Sequence, residues 1–161
     1  MPEKFRVRLA TEKDSPAIKR LVFAARLNPT QLKWQHFMVA DNSQGEVIGC
    51  GQIKPHQDGS CELASLVIDP DYRSQGIART LIERLIGIHE GDLYLMCRAS
   101  LGGFYEKFGF EGINESQMPP YFKRIARLAS IAEILQKEGE TLLVMKHPSP
   151  AYGSWRIPPA P

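Results

Sequence analysis

The hydrophobic period changes abruptly inside one stretch, LVIDPDYRSQGIARTLIERL. The segment SCELASLVIDP before the change reads as a strand from about residue 60 to 68. From Gln75 onward Ile77, Leu81, Ile82, Leu85 and Ile86 recur every three or four residues, which is helical spacing. Gly91 is the expected stop, and LYLMCRA then reads as a further strand. A strand–helix–strand unit across residues 61–97 implies one right-handed parallel crossover in a single sheet.

The flanking sequence completes the pattern. FRVRLA alternates and predicts a first strand near residues 4–9. TEKD resembles a capping box, with Thr11 as N-cap and Asp14 reaching back to it. The helix that follows carries Ile18, Leu21, Val22 and Ala25 on one face and ends at LNPT, where Pro29 disfavours helix at Asn28. A short second helix can occupy residues 30–35. HFMVADNSQGEVIGCGQIKPH reads as two strands around a polar turn. Past the crossover come a short helix in GFYEKFG closed by Gly109, a strand beginning at FEGI, and a long helix between the prolines at 119–120 and Gly139. Tyr121, Ile125, Leu128, Ala132 and Leu135 are expected on its buried face, and TLLVMKH is the last strand. The result is an α/β (α+β) domain, a mixed sheet of six to seven strands flanked by helices. One domain is expected over residues 1–147, followed by an irregular proline-rich tail at 148–161.

Composition narrows the function classes. The chain has 161 residues and a formal net charge of +2, with no block of five or more basic residues, which argues against nucleic-acid binding. No apolar run reaches the roughly 18–20 residues of a membrane span, and the N-terminus lacks a signal-peptide core. Cys50, Cys61 and Cys97 are odd in number and lack CxxC spacing, so neither a disulfide framework nor a zinc site is expected and a cytoplasmic location is favoured. The four histidines, at 36, 56, 89 and 147, have no metal-ligand spacing, so no metal is expected.

The junction itself, Arg73-Ser74-Gln75-Gly76-Ile77-Ala78, sits where a helix N-terminus exposes unpaired N–H groups and a partial positive charge. That suits a phosphate or pyrophosphate. Gly76 allows close backbone approach, Ala78 stays small, and Arg73 and Arg79 can add charge-assisted hydrogen bonds. Neither G-x-x-x-x-G-K-[ST] nor G-x-G-x-x-G is present. Taken alone, R-x-x-G-x-A suits an ordinary strand-to-helix turn equally well.

With its surroundings, the stretch resembles motif A of the GNAT N-acetyltransferase superfamily. About 25 residues beyond Ala78, GGFYEKFGF resembles motif B, with the expected strand between the two. The likeness covers residues 4–146 and is strongest over 62–110. It implies the GNAT-like acyl-CoA N-acyltransferase fold and an enzyme that moves an acetyl group from acetyl-CoA to a primary amine in a ternary complex. It further implies that the amides of residues 73–78 hold the pyrophosphate. Leu66, Val67 and Ile68 would pair their backbone with the pantetheine arm, on a strand that often carries a β-bulge. An amide there would polarise the thioester carbonyl.

Tyr105 occupies the motif B tyrosine position, and the resemblance makes it the acid for the departing thiolate. It can equally pack between helix and sheet. Glu62, at the start of the motif A strand, is the candidate base, directly or through water, or else a solvent-facing strand end. By strict alternation it shares a face with Ala64, Leu66 and Ile68, and a bulge changes which later residues join it. Cys61 and Cys97 read as core. Two departures stand out: Arg98 where many relatives have asparagine, and the pair Gly102-Gly103. The amine acceptor, a small molecule or a peptide, is expected between residues 24–36 and 112–124, the latter offering Glu115, Met118, Tyr121 and Phe122. A monomer or a homodimer fits equally. The rival function is a non-catalytic CoA-binding or interaction domain on the same fold.

Overall fold

The computed structural model describes residues 4–135 and 141–150. Seven strands form one mixed sheet: β1 (Phe5–Leu9), β2 (Phe37–Asn42), β3 (Val47–Pro55), β4 (Cys61–Ile68), β5 (Leu93–Arg98), β6 (Glu111–Gly112) and β7 (Leu142–His147), in the spatial order β1-β2-β3-β4-β5-β7-β6. The helices are α1 (Ser15–Ala24), α2 (Ile77–Ile88), α3 (Gly102–Glu106) and α4 (Pro120–Leu135). The order of elements and the mixed sheet match the sequence expectation. Neighbouring strands run antiparallel except β4 and β5, which α2 joins as the predicted crossover.

One face of the sheet carries α2. Its stripe of Ile77, Leu81, Ile82 and Leu85 packs on Ile48, Leu63, Leu95 and Cys97, so helical and strand periods meet in one core. On the other face α1 buries Ile18, Leu21 and Val22 against Phe37, Val39 and Cys50. α4 seats Phe122 on Tyr94 and Val144. Asp14 entered α1's start as predicted: its Oδ2 accepts from the Thr11 N–H at 2.7 Å, on a short turn over Glu12–Asp14. The same carboxylate binds Arg8, at 2.8 and 3.0 Å.

Several local expectations are corrected. Ala25 lies just past α1 and is exposed, because the helix has already turned it off the sheet. Residues 30–35 form no α-helix; a single turn spans Trp34–His36. α2 ends at Ile88, before Gly91. On α4, Leu128 and Ile131 face outward, while Phe122, Ile125, Ala126 and Ala129 lie inward. The sheet meets α4 near its start, and Phe122 sets the phase of the stripe. The side chains of Ala132 and Leu135, and most of the tail, lie outside the described residues. Among those described, no helix is long and apolar enough to cross a membrane.

Candidate active site

The site begins where β4 breaks its ladder. Cys50 pairs with Val67 and Gln52 with Ala64, so Ser65 and Leu66 together oppose the single residue Gly51. This is a β-bulge, with Ser65 at φ 55°. The extra residue resets the alternation. Glu62 and Ala64 lie on the side opposite Leu63, but beyond the bulge Leu66 and Ile68 turn to the α2 face while Val67 packs with the α1 core. Strict alternation across residues 62–68 is therefore wrong, because it counts no bulge. Toward β5, β4 makes a single register pair, Glu62 with Tyr94, and the strands part beyond it.

The loop after β4 is tied down before it reaches α2. The Asp69 N–H donates to Ile48 O at 2.8 Å, the Asp69 carboxylate accepts from the Asp71 N–H at 3.0 Å, and Asn42 Nδ2 donates to the Tyr72 hydroxyl at 3.1 Å. Ser74 at φ 62° and Gly76 at φ 84° then curl the backbone through two left-handed residues. Such a run turns successive N–H groups toward a common concavity. Gly76 is the N-cap of α2, so the concavity lies at the positive end of that helix. Residues 73–76 are exposed and able to meet an anion.

A cavity of about 630 Å³ runs from the bulge to this loop. Its wall includes Leu66, Val67, Ile68, Arg73, Ser74, Gly76, Ile77, Ala78 and Arg79, nine of the ten residues expected to touch CoA. The tenth, Gln75, lines a separate hollow with Lys4, Thr80 and Arg84. Ala25, Leu27, Leu101 and Phe104 line the far side, a role that nothing in their local sequence signals. The size and the mostly apolar walls suit an elongated ligand with a charged end.

The two expected catalytic residues lie apart from that wall. Tyr105 packs with the α2-face core, edge-on to Phe110, and burial with the nearby Cys97 pushes its phenol up to about 12. Glu62 is on the other face, 6% exposed, and burial raises its carboxyl above the ordinary range while His56 partly offsets this. It is not a solvent-facing strand end. His56 Nε2 lies 2.7 Å from Glu62 Oε2, and the imidazole stacks on Tyr121 at 3.6 Å between centroids. Around this pair sit further buried polar groups: Gln52, whose Nε2 donates to Ser65 Oγ at 2.9 Å, and Lys54, directly opposite Glu62 in the ladder.

His56, Gln52 and Lys54 escaped the sequence reading. The signal for two of them was present: Gln52 and Lys54 alternate with Ile53 on a strand whose neighbours are apolar, so the polar side faces something specific. His56 was indistinguishable from a turn residue. Of the proposed acceptor segment, Phe122 is fully buried in the core and Glu115 pairs with Arg127 at the surface, whereas Tyr121 reaches the Glu62 neighbourhood. Gly102 has a packing reason: a Cβ there would lie 2.9 Å from Leu143 Cδ2.

Residues 33–112 match the acetyltransferase (GNAT) domain, a span that holds both the bulged strand and the Gly76 loop. The chain belongs to the GNAT superfamily. It is 31% identical over 85 residues to an uncharacterized N-acetyltransferase of Chlorobaculum tepidum, an alignment spanning about half of each protein, 52% of this chain and 54% of the relative. Among solved structures it resembles N-acetylglutamate synthase from Neisseria gonorrhoeae complexed with coenzyme A and N-acetyl-glutamate. That match has a TM-score of 0.69 and 18% identity, and covers 91% of this chain and 35% of the other. Rv2747 from Mycobacterium tuberculosis, in complex with CoA and NLQ, matches with a TM-score of 0.66 and 21% identity over 89% of this chain and 98% of that one. These likenesses establish the GNAT fold, and the family is one of acetyltransferases.

Proposed function

We propose that the chain is an acetyl-CoA-dependent N-acetyltransferase acting on a primary amine by direct attack within a ternary complex. The observation that carries this reading is the continuous cavity joining the bulged β4 to the Gly76 loop, lined by residues at motif A positions. In this reading the loop amides, with Arg73 and Arg79, take the pyrophosphate. The side of Leu66–Ile68 turned away from β3, which has no register pair on β5, takes the pantetheine arm as an added strand would. An N–H freed by the bulge polarises the thioester carbonyl.

The amine nitrogen attacks the carbonyl carbon; its C–N bond forms as the C–S bond breaks. Glu62 accepts the amine proton, directly or through a water. Its burial supports that role, since a carboxyl raised above its usual range is a better base. Tyr105 serves the departing sulfur. A phenol at about 12 stays protonated, and full transfer to a thiolate, whose reference value is about 8.5, runs uphill. Tyr105 therefore acts as a hydrogen-bond donor to the thiolate rather than as its proton source. The gonococcal relative's bound N-acetyl-glutamate supports starting the acceptor search with amino acids.

The test has two parts. Acetyl-CoA at 100 times its Kd is expected to stabilise the native state by about 2.7 kcal/mol, read as a higher melting temperature. No shift at millimolar acetyl-CoA removes the cofactor assignment. A panel of amino acids, polyamines, simple amines and peptide N-termini, followed by CoA release, then reads the acceptor. Binding without turnover on any amine supports the non-catalytic alternative.

A further inference from the structure

The turn between β3 and β4 presents a histidine to the proposed base, held by the turn's backbone and by two rings of α4. The His56 N–H donates to Ser60 O at 2.9 Å, which fixes the backbone of the turn. Its Nε2 lies 2.7 Å from Glu62 Oε2, and both side chains are largely buried, 5% and 8% exposed. The ring lies flat on Tyr121, 17° from parallel, and stands edge-on to Phe122 at 5.7 Å. The Tyr121 N–H in turn donates to Asp58 Oδ2 at 2.9 Å, so the turn and the start of α4 are clamped together around the imidazole.

An ionised carboxylate only accepts hydrogen bonds, so the contact with Glu62 requires the ring proton on Nε2. That bond occupies Oε2. The other titratable and charged groups facing the pair are Lys54 opposite Glu62 on β3, Tyr94 opposite it on β5, Asp58 in the turn, and Tyr121 with Arg124 beyond it from α4. Lys54 Nζ reaches Thr30 O at 3.5 Å, and among the described residues His56 is the one in hydrogen-bond contact with the Glu62 carboxylate. A purely structural role would be filled as well by apolar side chains of similar size, because replacing both partners of a buried hydrogen bond by apolar groups of the same shape costs little.

We infer that His56 is a positioning residue for Glu62: its Nε2–H holds Oε2, fixes the carboxylate, and leaves Oε1 to receive the acceptor's proton. This rests on the reading of Glu62 as the base. Removing the donor takes away the bond that favours the ionised form, so the carboxyl must hold its proton to higher pH.

The full chain labelled with [13C]glutamate tests this by carboxyl-carbon NMR across pH, with Glu62→Gln identifying the Glu62 signal. His56→Ala is expected to raise the Glu62 midpoint by at least one pH unit. His56→Gln, whose side-chain amide reaches about as far as Nε2, should restore most of that shift. Where circular dichroism shows His56→Ala unfolded, His56→Asn, too short to reach Oε2, replaces it with the same expectation. An unmoved midpoint overturns the inference. With the acceptor from the amine panel, the acidic limb of kcat/KM should move upward with the NMR midpoint. Full turnover by Glu62→Gln overturns the base assignment instead, and the NMR midpoint distinguishes the two failures.

Discussion

Gly76 adopts φ 84° with no atom near the place where a Cβ would stand. Its requirement is thus conformational in the free protein and steric only toward a ligand. Gly76→Ala should cost about 1 kcal/mol through the left-handed backbone, a fall of roughly 2–4 °C in a chain of this size. Gly76→Glu adds bulk and negative charge where pyrophosphate is proposed to sit, and calorimetry should find acetyl-CoA binding lost; tight binding would remove the loop assignment. Tyr105 makes a separate prediction. Tyr105→Phe should lower kcat by about 10-fold to 100-fold and leave the Kd for acetyl-CoA within about 2-fold, since the hydroxyl acts only as the C–S bond breaks. With the phenol raised to about 12, it contributes no alkaline limb to the rate profile below about pH 11. An alkaline limb abolished by Tyr105→Phe would contradict this.

At the scale of elements, a hairpin turn and a helix start depend on each other. α4 begins with prolines and takes its N-terminal partner from elsewhere in the chain: Asp58 accepts from the Tyr121 N–H, 63 residues away in sequence. The carboxyl of Asp58 is held below its ordinary range by Ser60 and by this amide. Asp58→Ala should cost about 0.5–2 kcal/mol, the usual loss for a helix cap, measured by urea unfolding. It should also loosen the stacking of Tyr121 on His56, visible as increased hydrogen exchange at the start of α4. No change in either would mean the cap is idle. The elements themselves were readable in the sequence, because periods of 2 and 3.6 identify strands and helices before any tertiary contact exists. The inward face of α4 was misjudged at Leu128: two apolar stripes compete on that helix, and only the sheet's position selects one. The bulge at Ser65 and Leu66 left no local trace, since its cause is pairing with Gly51 on another strand.

Across the whole molecule, the N-terminal edge is held by a charge cluster as well as by the apolar contacts of Phe5 and Val7. Arg8 joins Asp14 and Asp41, and Arg6 joins Asp41, with distances of 2.8–3.0 Å. Hydrogen bonds from Arg8 hold the Asp14 carboxyl below its ordinary value of 3.8, and Arg6 and Arg8 overcome burial to do the same for Asp41. Depressed carboxyls stabilise the fold above their unfolded values, and that contribution is lost as pH falls through the folded ones. Asp14→Asn should therefore cost about 1–3 kcal/mol at neutral pH. The gap to the wild type should close as pH drops below about 3, and chemical denaturation from pH 7 to 2 would read both. A gap that persists at pH 2 would show that packing, not charge, explains the loss.

The architecture, the crossover through α2 and the loop around Gly76 are legible in the order of residues, because these depend on short-range periodicity and on residue types within a few positions of one another. The face that Glu62 occupies, its neighbours His56 and Tyr121, and the part of Ala25, Leu27 and Phe104 in the cavity wall emerge only on folding. Each of these depends on residues far apart in the chain meeting across a twisted, bulged sheet. Alternation along a single strand predicts such meetings only until the first extra residue reverses it.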